Sequence, residues 1–338
     1  MRVFPLVAAV MSLALSSCSR EVPSVAGADA AGFSAPTPAT EAAQAEAAKA
    51  LPVEDGVDFE EAERGLIARE QALTVLSADG KVVYDASGYD FTQGNYPESV
   101  HPGLWRQARL NSLHGLYKVT DGIYQVRGYD LAVMSIIEGK SGWIVVDPLT
   151  SRETATRAMA FARQHLGNKP VVAIIFTHSH VDHFGGATAI ASPEDVASGK
   201  VRVIAPSGFL EEATSENILA GPAMGRRAIY MYGRDLPRSS RGKVDNGLGK
   251  EPAMGTIGIL RPSELIDRTP QVVDVDGVEF VFQYTPGSEA PAEMTFYLPA
   301  HKAFCGAEVM SRTLHNLYTL RGAKVRDANR WAGYITDA

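Results

Sequence analysis

Six consecutive apolar residues, Val171 to Phe176 (VVAIIF), run straight into Thr177-His178-Ser179-His180-Val181-Asp182-His183-Phe184-Gly185-Gly186. An unbroken apolar run of this length is what a strand covered on both faces shows, so the chain should build a sheet with layers on either side. Four metal-ligand side chains then follow within six positions. Imidazole nitrogen and carboxylate oxygen suit zinc, and a strand end leading into a turn lets alternate residues point into one cavity. His178 and His180, two apart, share a face of the extended segment, while Asp182 and His183, past the turn, can reach a second ion. Gly185 and Gly186 allow close backbone approach and the start of the next helix. A lone histidine is usually packed or solvated. This spacing, between a buried strand and a Gly-Gly pair, has the context a metal motif needs on both sides.

The surroundings alternate between short β-rich runs and helical periodicity. Gly122 to Arg127, Leu131 to Glu138 and Trp143 to Val146, which ends at Asp147-Pro148, read as a strand meander. Arg152 to Leu166 carries apolar residues at helical spacing and predicts a helix crossing between strands. Val201 to Ile204 predicts another strand, Gly208 to Tyr230 a long helical stretch, and Gln271 to Tyr284 two strands about the turn at Asp276-Gly277. Met294 to Phe304 predicts a further strand or pair. Strands in succession with intervening helices imply an α/β (α+β) fold of sheets covered by helices. With 338 residues and 45% hydrophobic content, the chain can hold one large domain or two ordinary ones. Phe59 to Leu73 reads as an amphipathic helix, and Gly88 to Gly115 as loop carrying Tyr89, Phe91, Tyr96 and Trp105.

The N-terminus reads as an export signal over residues 1–18: Arg2, then an apolar stretch from Val3 to Leu15 too short to span a bilayer, then Leu15-Ser16-Ser17-Cys18. That ending resembles a bacterial lipobox, which implies acylation at Cys18 and an anchor without a transmembrane helix. Ser19 lacks the acidic character associated with inner-membrane retention, so the expected location is the periplasmic side of the outer membrane. Only Cys305 remains besides Cys18, so an acylated Cys18 excludes an internal disulfide. Residues 19–55 are Ala-, Pro- and Ser-rich and read as a tether, although Glu41 to Leu51 favours a helix on propensity alone. Residues 56–115 are expected to form a helical and loop extension, and residues 116–338 the catalytic domain. A net charge of -7 argues against nucleic acid or an anionic membrane surface as the main partner, while leaving room for a local basic pocket.

Thr177 to Gly186 resembles in full the THxHxDHxGG signature of the metallo-β-lactamase superfamily, which implies an αββα sandwich with metals at one edge of its two sheets. Lactamase and glyoxalase-type members continue with a segment resembling HTPGH. This chain has Tyr284-Thr285-Pro286-Gly287-Ser288-Glu289 instead, with Glu289 where the histidine would fall. That feature, with Cys305-Gly306-Ala307-Glu308 and the run from Thr313 to Gly322 (TLHNLYTLRG), resembles the bacterial alkylsulfatase branch. The resemblance implies two zinc ions, Glu289 joining His178 and His180, and Glu308 bridging the ions or binding the second. Glu293 is a competing carboxylate that the family does not use as a ligand.

The same resemblance implies hydrolysis of small-molecule alkyl sulfates to alcohol and sulfate, with an apolar channel for the chain. His315 is the candidate general acid and Arg321 the candidate sulfate clamp, with Asn246 and Tyr232 as further sulfate contacts. Competing readings are another esterase of this fold, such as a thioesterase or lactamase, and a non-catalytic metal-binding lipoprotein. The latter follows from an expected truncation. The family continues beyond a point equivalent to Ala338 with another zinc-ligating histidine, a dimerisation region and a lipid-carrier-like domain. The chain therefore reads as an N-terminal portion, incomplete as a sandwich at its C-terminus, inactive alone, with dimerisation reserved for the full-length form.

Overall fold

The structure is a computed structural model that describes residues 28–29, 32–53, 55–311 and 317–338. The export signal, Cys18 and His315 lie outside the described residues. The described residues before Pro36 and those of Pro36–Ala338 fall in separate units. In the first, Ala28 and Ser34 pair as an isolated antiparallel bridge.

The second unit opens with α1 (Pro38–Ala50), a helix inside the stretch read as a tether, with the Thr37 hydroxyl accepting from Thr40 N and proline in its first turn. The helix expected from Phe59 to Leu73 is cut to α2 (Val57–Glu63). Gly65 stops it: its φ is +78°, and a Cβ there would sit 2.1 Å from Lys118 O. That close approach allows β1 (Leu66–Ala68) to join the main sheet at its edge. A hairpin of β2 (Thr74–Leu76) and β3 (Val82–Asp85) follows. Within the stretch expected to be loop, α3 (Pro102–Leu110) forms where His101 Nδ1 caps Gly103 N and Pro102 fills the first turn.

An antiparallel meander then runs through β4 (Gly115–Thr120), β5 (Ile123–Arg127), β6 (Met134–Glu138) and β7 (Trp143–Val146). The helix α4 (Arg152–Leu166), capped by Ser151, crosses to β8 (Val171–Ile175), which lies parallel to β7. Past α5 (Val181–Phe184) and α6 (Pro193–Ala197), β9 (Arg202–Pro206) pairs parallel to β8. The long helix expected from Gly208 to Tyr230 is instead α7 (Phe209–Thr214), a π-helical turn, and α8 (Gly221–Tyr232). Pro222 has no N–H to continue a single helix and sits in the first turn of α8. The eight-stranded sheet, ordered β1-β4-β5-β6-β7-β8-β9-β10, ends on β10 (Glu264–Ile266). A second, antiparallel sheet holds β11 (Gln271–Val275), β12 (Val278–Tyr284), β13 (Met294–Leu298) and β14 (Ala303–Cys305). The last element is α9 (Ala328–Asp337).

Strand alternation divides the core into two layers. In β7 every residue is buried: Trp143 and Val145 face the α4 layer, and Ile144 and Val146 face the second sheet. The same division places Ile174 against the helices and Ala173 and Ile175 between the sheets. Opposite them, Phe280, Phe282 and Phe296 pack with ring centroids 5.2 to 5.7 Å apart. Leu73, Val75, Val83 and Tyr84 contribute to the α4 layer, so the segment before residue 116 shares one core with the rest. The result is a mixed α/β sandwich of two facing sheets. The ends of β7 and β8 meet at one rim, and the His-rich segment leaves from there.

Candidate metal centre

The chain leaves β7 through Asp147 at φ 54° and Leu149 at φ 64°, left-handed conformations that side chains other than glycine rarely adopt. Backbone strain of this kind persists where surrounding contacts over-determine it. Here those contacts are dense. Asp147 N donates to Ile175 O, and Gly186 N donates to Leu149 O. A Cβ at Gly185 would lie 2.1 Å from Thr150 O, and one at Gly186 2.1 Å from Pro148 O. The Gly-Gly pair is therefore what lets the turn after β7 pass directly under the motif.

Asp147 is the organising carboxylate. Its Oδ1 accepts Thr177 N at 2.8 Å, and its Oδ2 accepts Thr177 Oγ1 at 2.7 Å and His183 Nδ1 at 2.8 Å. Because the Thr177 hydroxyl gives its proton to Asp147, it can only accept from His178 Nδ1, 2.9 Å away. In both rings Nδ1 therefore carries a proton, which leaves Nε2 as the nitrogen that bears the lone pair whenever the ring is neutral. Nε2 of His178 and Nε2 of His183 are buried without a hydrogen-bond partner. They face the carboxylates. His178 Nε2 lies 3.6 Å from Glu289 Oε2 and 3.8 Å from Glu308 Oε2, while His183 Nε2 lies 3.5 Å from Asp182 Oδ2 and 3.4 Å from Glu308 Oε1. His180 turns its Nδ1 to Glu289 Oε2 at 2.9 Å.

Glu289 and Glu308 reach this rim from the second sheet. The loop between β12 and β13 is stitched to the motif by Ser179 N to Ala292 O, Met294 N to Thr177 O, and a β-bridge between His178 and Glu293. Glu308 follows β14, after Ala307 at φ 48°. The donor atoms form two overlapping groups, His178, His180, Glu289 and Glu308 in one and Asp182, His183 and Glu308 in the other, each group within 4.8 Å. Glu308 belongs to both, as a bridging ligand would. A third group of Asp147, His178 and His183 also meets that distance. Its carboxylate is already filled by Thr177 and His183, so Asp147 supports the ligands rather than joining them.

The electrostatics fit cations. Burial pushes His178 well below the ordinary imidazole value, and His183 and His180 push it the same way, so it is a neutral donor. Burial alone would lower His183 as well, but Asp182, Asp147 and Glu308 outweigh it and drive His183 well above its usual value. For Asp182 burial acts upward, yet the three imidazoles hold it below the usual carboxylate range. Burial and then Glu289 raise Glu308, and the same two causes push Glu293 up to about 8. Opposed carboxylates and imidazole lone pairs on one buried spot are mutually costly unless positive charge sits among them. A divalent metal satisfies that demand, and the orphaned Nε2 atoms are placed to bind it.

Among the remaining residues singled out in the sequence, Arg321 lines an apolar groove of about 620 Å³ together with Val181 and Phe184, the neighbours of the ligand candidates. Arg321 also acts on the Tyr232 phenol, which burial raises above its ordinary value, as do Asp182, Glu289 and Glu308. Tyr232 thus stands near both the cluster and Arg321. The backbone N of Asn246 donates to Gly249 O, and both amide atoms of its side chain are buried without a partner. No hydrogen bond among the described residues joins it to the cluster. Three contributors went unrecognised in the sequence. Asp147 was visible only as the end of a strand, and Glu293 only as a rejected ligand. Arg326, fully buried, places Nη2 3.2 Å from His180 Nε2 and 3.6 Å from Glu289 Oε1, with no motif to announce it.

The sequence model of the Metallo-beta-lactamase superfamily matches residues 128–302, just over half of the chain. A linear primary-alkylsulfatase from Pseudomonas sp is 46% identical over 304 residues, covering 89% of this chain and 45% of its own length. An (R)-specific secondary-alkylsulfatase from Pseudomonas sp is 48% identical over 298 residues, covering 88% of this chain and 45% of its own length. The solved structure of the stereoselective inverting sec-alkylsulfatase Pisa1 from Pseudomonas sp. superposes with a TM-score of 0.87 at 46% identity, over 91% of this chain and 49% of that one. The chain spans about half the length of these relatives. With the two facing sheets, the metal-ligand rim and the family match in hand, the chain belongs to the metallo-beta-lactamase superfamily.

Proposed function

We propose that the protein hydrolyses alkyl sulfate esters to an alcohol and inorganic sulfate, using two zinc ions held by His178, His180, Asp182, His183, Glu289 and Glu308. The observation that carries this reading is the apolar groove lined by Val181 and Phe184, the chain neighbours of the ligand candidates, with Arg321 and Arg234 as the cations on its wall. An anionic head on a hydrocarbon chain is the ligand such a site matches. Similarity to alkylsulfatases in both sequence and structure supports the same reading. When bound, zinc supplies Lewis acidity at the reacting centre and offsets the charge of the sulfate group.

The chain's own residues do the rest. Arg321 presents a planar fork of donors to two sulfate oxygens, which fixes the head group against the cluster. The Tyr232 hydroxyl, kept protonated by burial, can donate to a third. Ile218, Met224, Ala228, Ile257 and Ile259 line the groove that takes the hydrocarbon and excludes water from it. His315 is the proposed proton donor to the leaving alcohol. Cys18 is the proposed lipid attachment point at the outer membrane; radiolabelled fatty acid should enter the protein and be lost in Cys18→Ser. The function is tested by sulfate release from dodecyl sulfate by the full gene product, abolished by a chelator and restored by zinc. Hydrolysis of a β-lactam or thioester in its place would overturn the proposal.

A further inference from the structure

We propose that Glu293 is a positioning residue that holds both second-sheet ligand arms, Glu289 and Glu308, at the distance the metal pair needs; the inference rests on the cluster binding metal. Glu293 is fully buried, beside a second carboxylate, a location that costs free energy unless the group does something there. Its contacts are unusually distributed. Oε2 accepts Ala290 N at 2.9 Å and lies 2.7 Å from Ser288 Oγ, so it grips the loop on both sides of Glu289. Oε1 accepts the backbone N–H of Glu308 itself at 3.3 Å. The backbone of the same residue pairs with His178 and accepts Thr285 N. Three segments bearing ligand candidates therefore meet at one residue, two of them at its carboxylate and the third at its backbone. Both oxygens are engaged by the protein, and Glu293 belongs to none of the groups of donor atoms that lie within 4.8 Å of one another, so it braces the site without entering it.

The two oxygens have separable jobs. In Glu293→Gln the amide oxygen can take the Oε2 position and keep the Ser288 and Ala290 contacts, but the NH2 group then faces the Glu308 N–H, donor against donor. The Glu289 arm should survive and the Glu308 arm should loosen. Glu293→Ala removes both grips. Ser288→Ala weakens only the Glu289 side.

The test is titration of the metal-free full-length protein with cobalt(II), read by visible absorption and by competition with a chelator, so that turnover is not needed. Glu293→Gln should bind the first cobalt within about 3-fold of wild type and the second at least about 10-fold more weakly, with the spectrum of the second site altered. Glu293→Ala should weaken both by about 10- to 100-fold. If Glu293→Ala fails to fold by circular dichroism, Glu293→Gln and Ser288→Ala decide the matter. Wild-type affinities and spectra in those two variants would overturn the proposal, as would an equal loss of both ions in Glu293→Gln. A wild-type protein that takes up no cobalt would instead sink the metal reading on which the proposal stands.

Discussion

The two halves of the metal centre are built by opposite means. His178, His180, Asp182 and His183 come from one stretch at the end of β8, where a buried strand, a turn and a glycine pair set all four by local geometry. Glu289 and Glu308 come from two separate loops of the second sheet and are held at the same rim by hydrogen bonds that include those of Ala292, Glu293 and Thr177. The difference teaches that a motif can position ligands within a segment, whereas ligands between segments need a scaffold of buried polar groups. Such groups are individually ordinary in sequence. Collectively they set the distance between the arms.

The largest effect should come from cutting the local half. His178→Ala removes the ligand whose Nε2 faces both glutamates, and its neighbours then lose their shared ion. Elemental analysis should find the first zinc gone, and sulfate release from dodecyl sulfate should fall by about 10³-fold or more. Turnover at the wild-type rate would remove this residue from the site. Glu308→Gln probes the other half. It leaves His178, His180 and Glu289 in place, so zinc content should fall from two ions towards one while circular dichroism and the melting temperature change little. Loss of both ions together would mean that the halves do not act separately.

Asp147→Asn tests whether the local half is as self-sufficient as its sequence suggests. Asn has a single acceptor oxygen and cannot receive Thr177 N, Thr177 Oγ1 and His183 Nδ1 as the carboxylate does. The tautomers of His178 and His183 should lose their enforcement, with affinity for both ions falling by about 10- to 100-fold. A buried donor left without an acceptor should also cost about 1–3 kcal/mol of stability. Unchanged affinity would show that the strand end alone orients the histidines.

Legibility in the sequence follows the same line. The meander, α4, β8 and the Asp276-Gly277 hairpin were readable because period and turn chemistry are local signals. β10 and the β2–β3 hairpin were not, being three- and four-residue elements stabilised by what they pack against. The false helix from Phe59 to Leu73 had acceptable periodicity, and only the close approach of Gly65 to Lys118 O, a tertiary fact, ended it. At the site, the six ligand candidates were legible through the motif and the family resemblance, and the structure brings them together. Asp147, Glu293 and Arg326 were not, because an aspartate at a strand end, a buried glutamate or an arginine in a loop carries no spacing that marks it.

The smallest effect concerns the apolar groove beside the local half. Arg321 and Lys carry the same charge, but only the guanidinium offers two parallel donors to two sulfate oxygens. Arg321→Lys should therefore raise the KM for dodecyl sulfate by about 10-fold and lower kcat less than about 3-fold, the pattern of a lost binding contact rather than a lost transition-state contact. Chain length then separates head from tail. If Arg321 holds the sulfate while Met224, Ala228 and Ile259 hold the hydrocarbon, the two contributions involve different atoms and should add. Shortening the substrate from dodecyl to octyl sulfate should raise KM by one factor in wild type and by the same factor in Arg321→Lys. A variant penalty that shrinks with the shorter chain would place Arg321 along the tail, its methylene stem packing against hydrocarbon, and the cation for the sulfate would then have to be sought elsewhere on the rim.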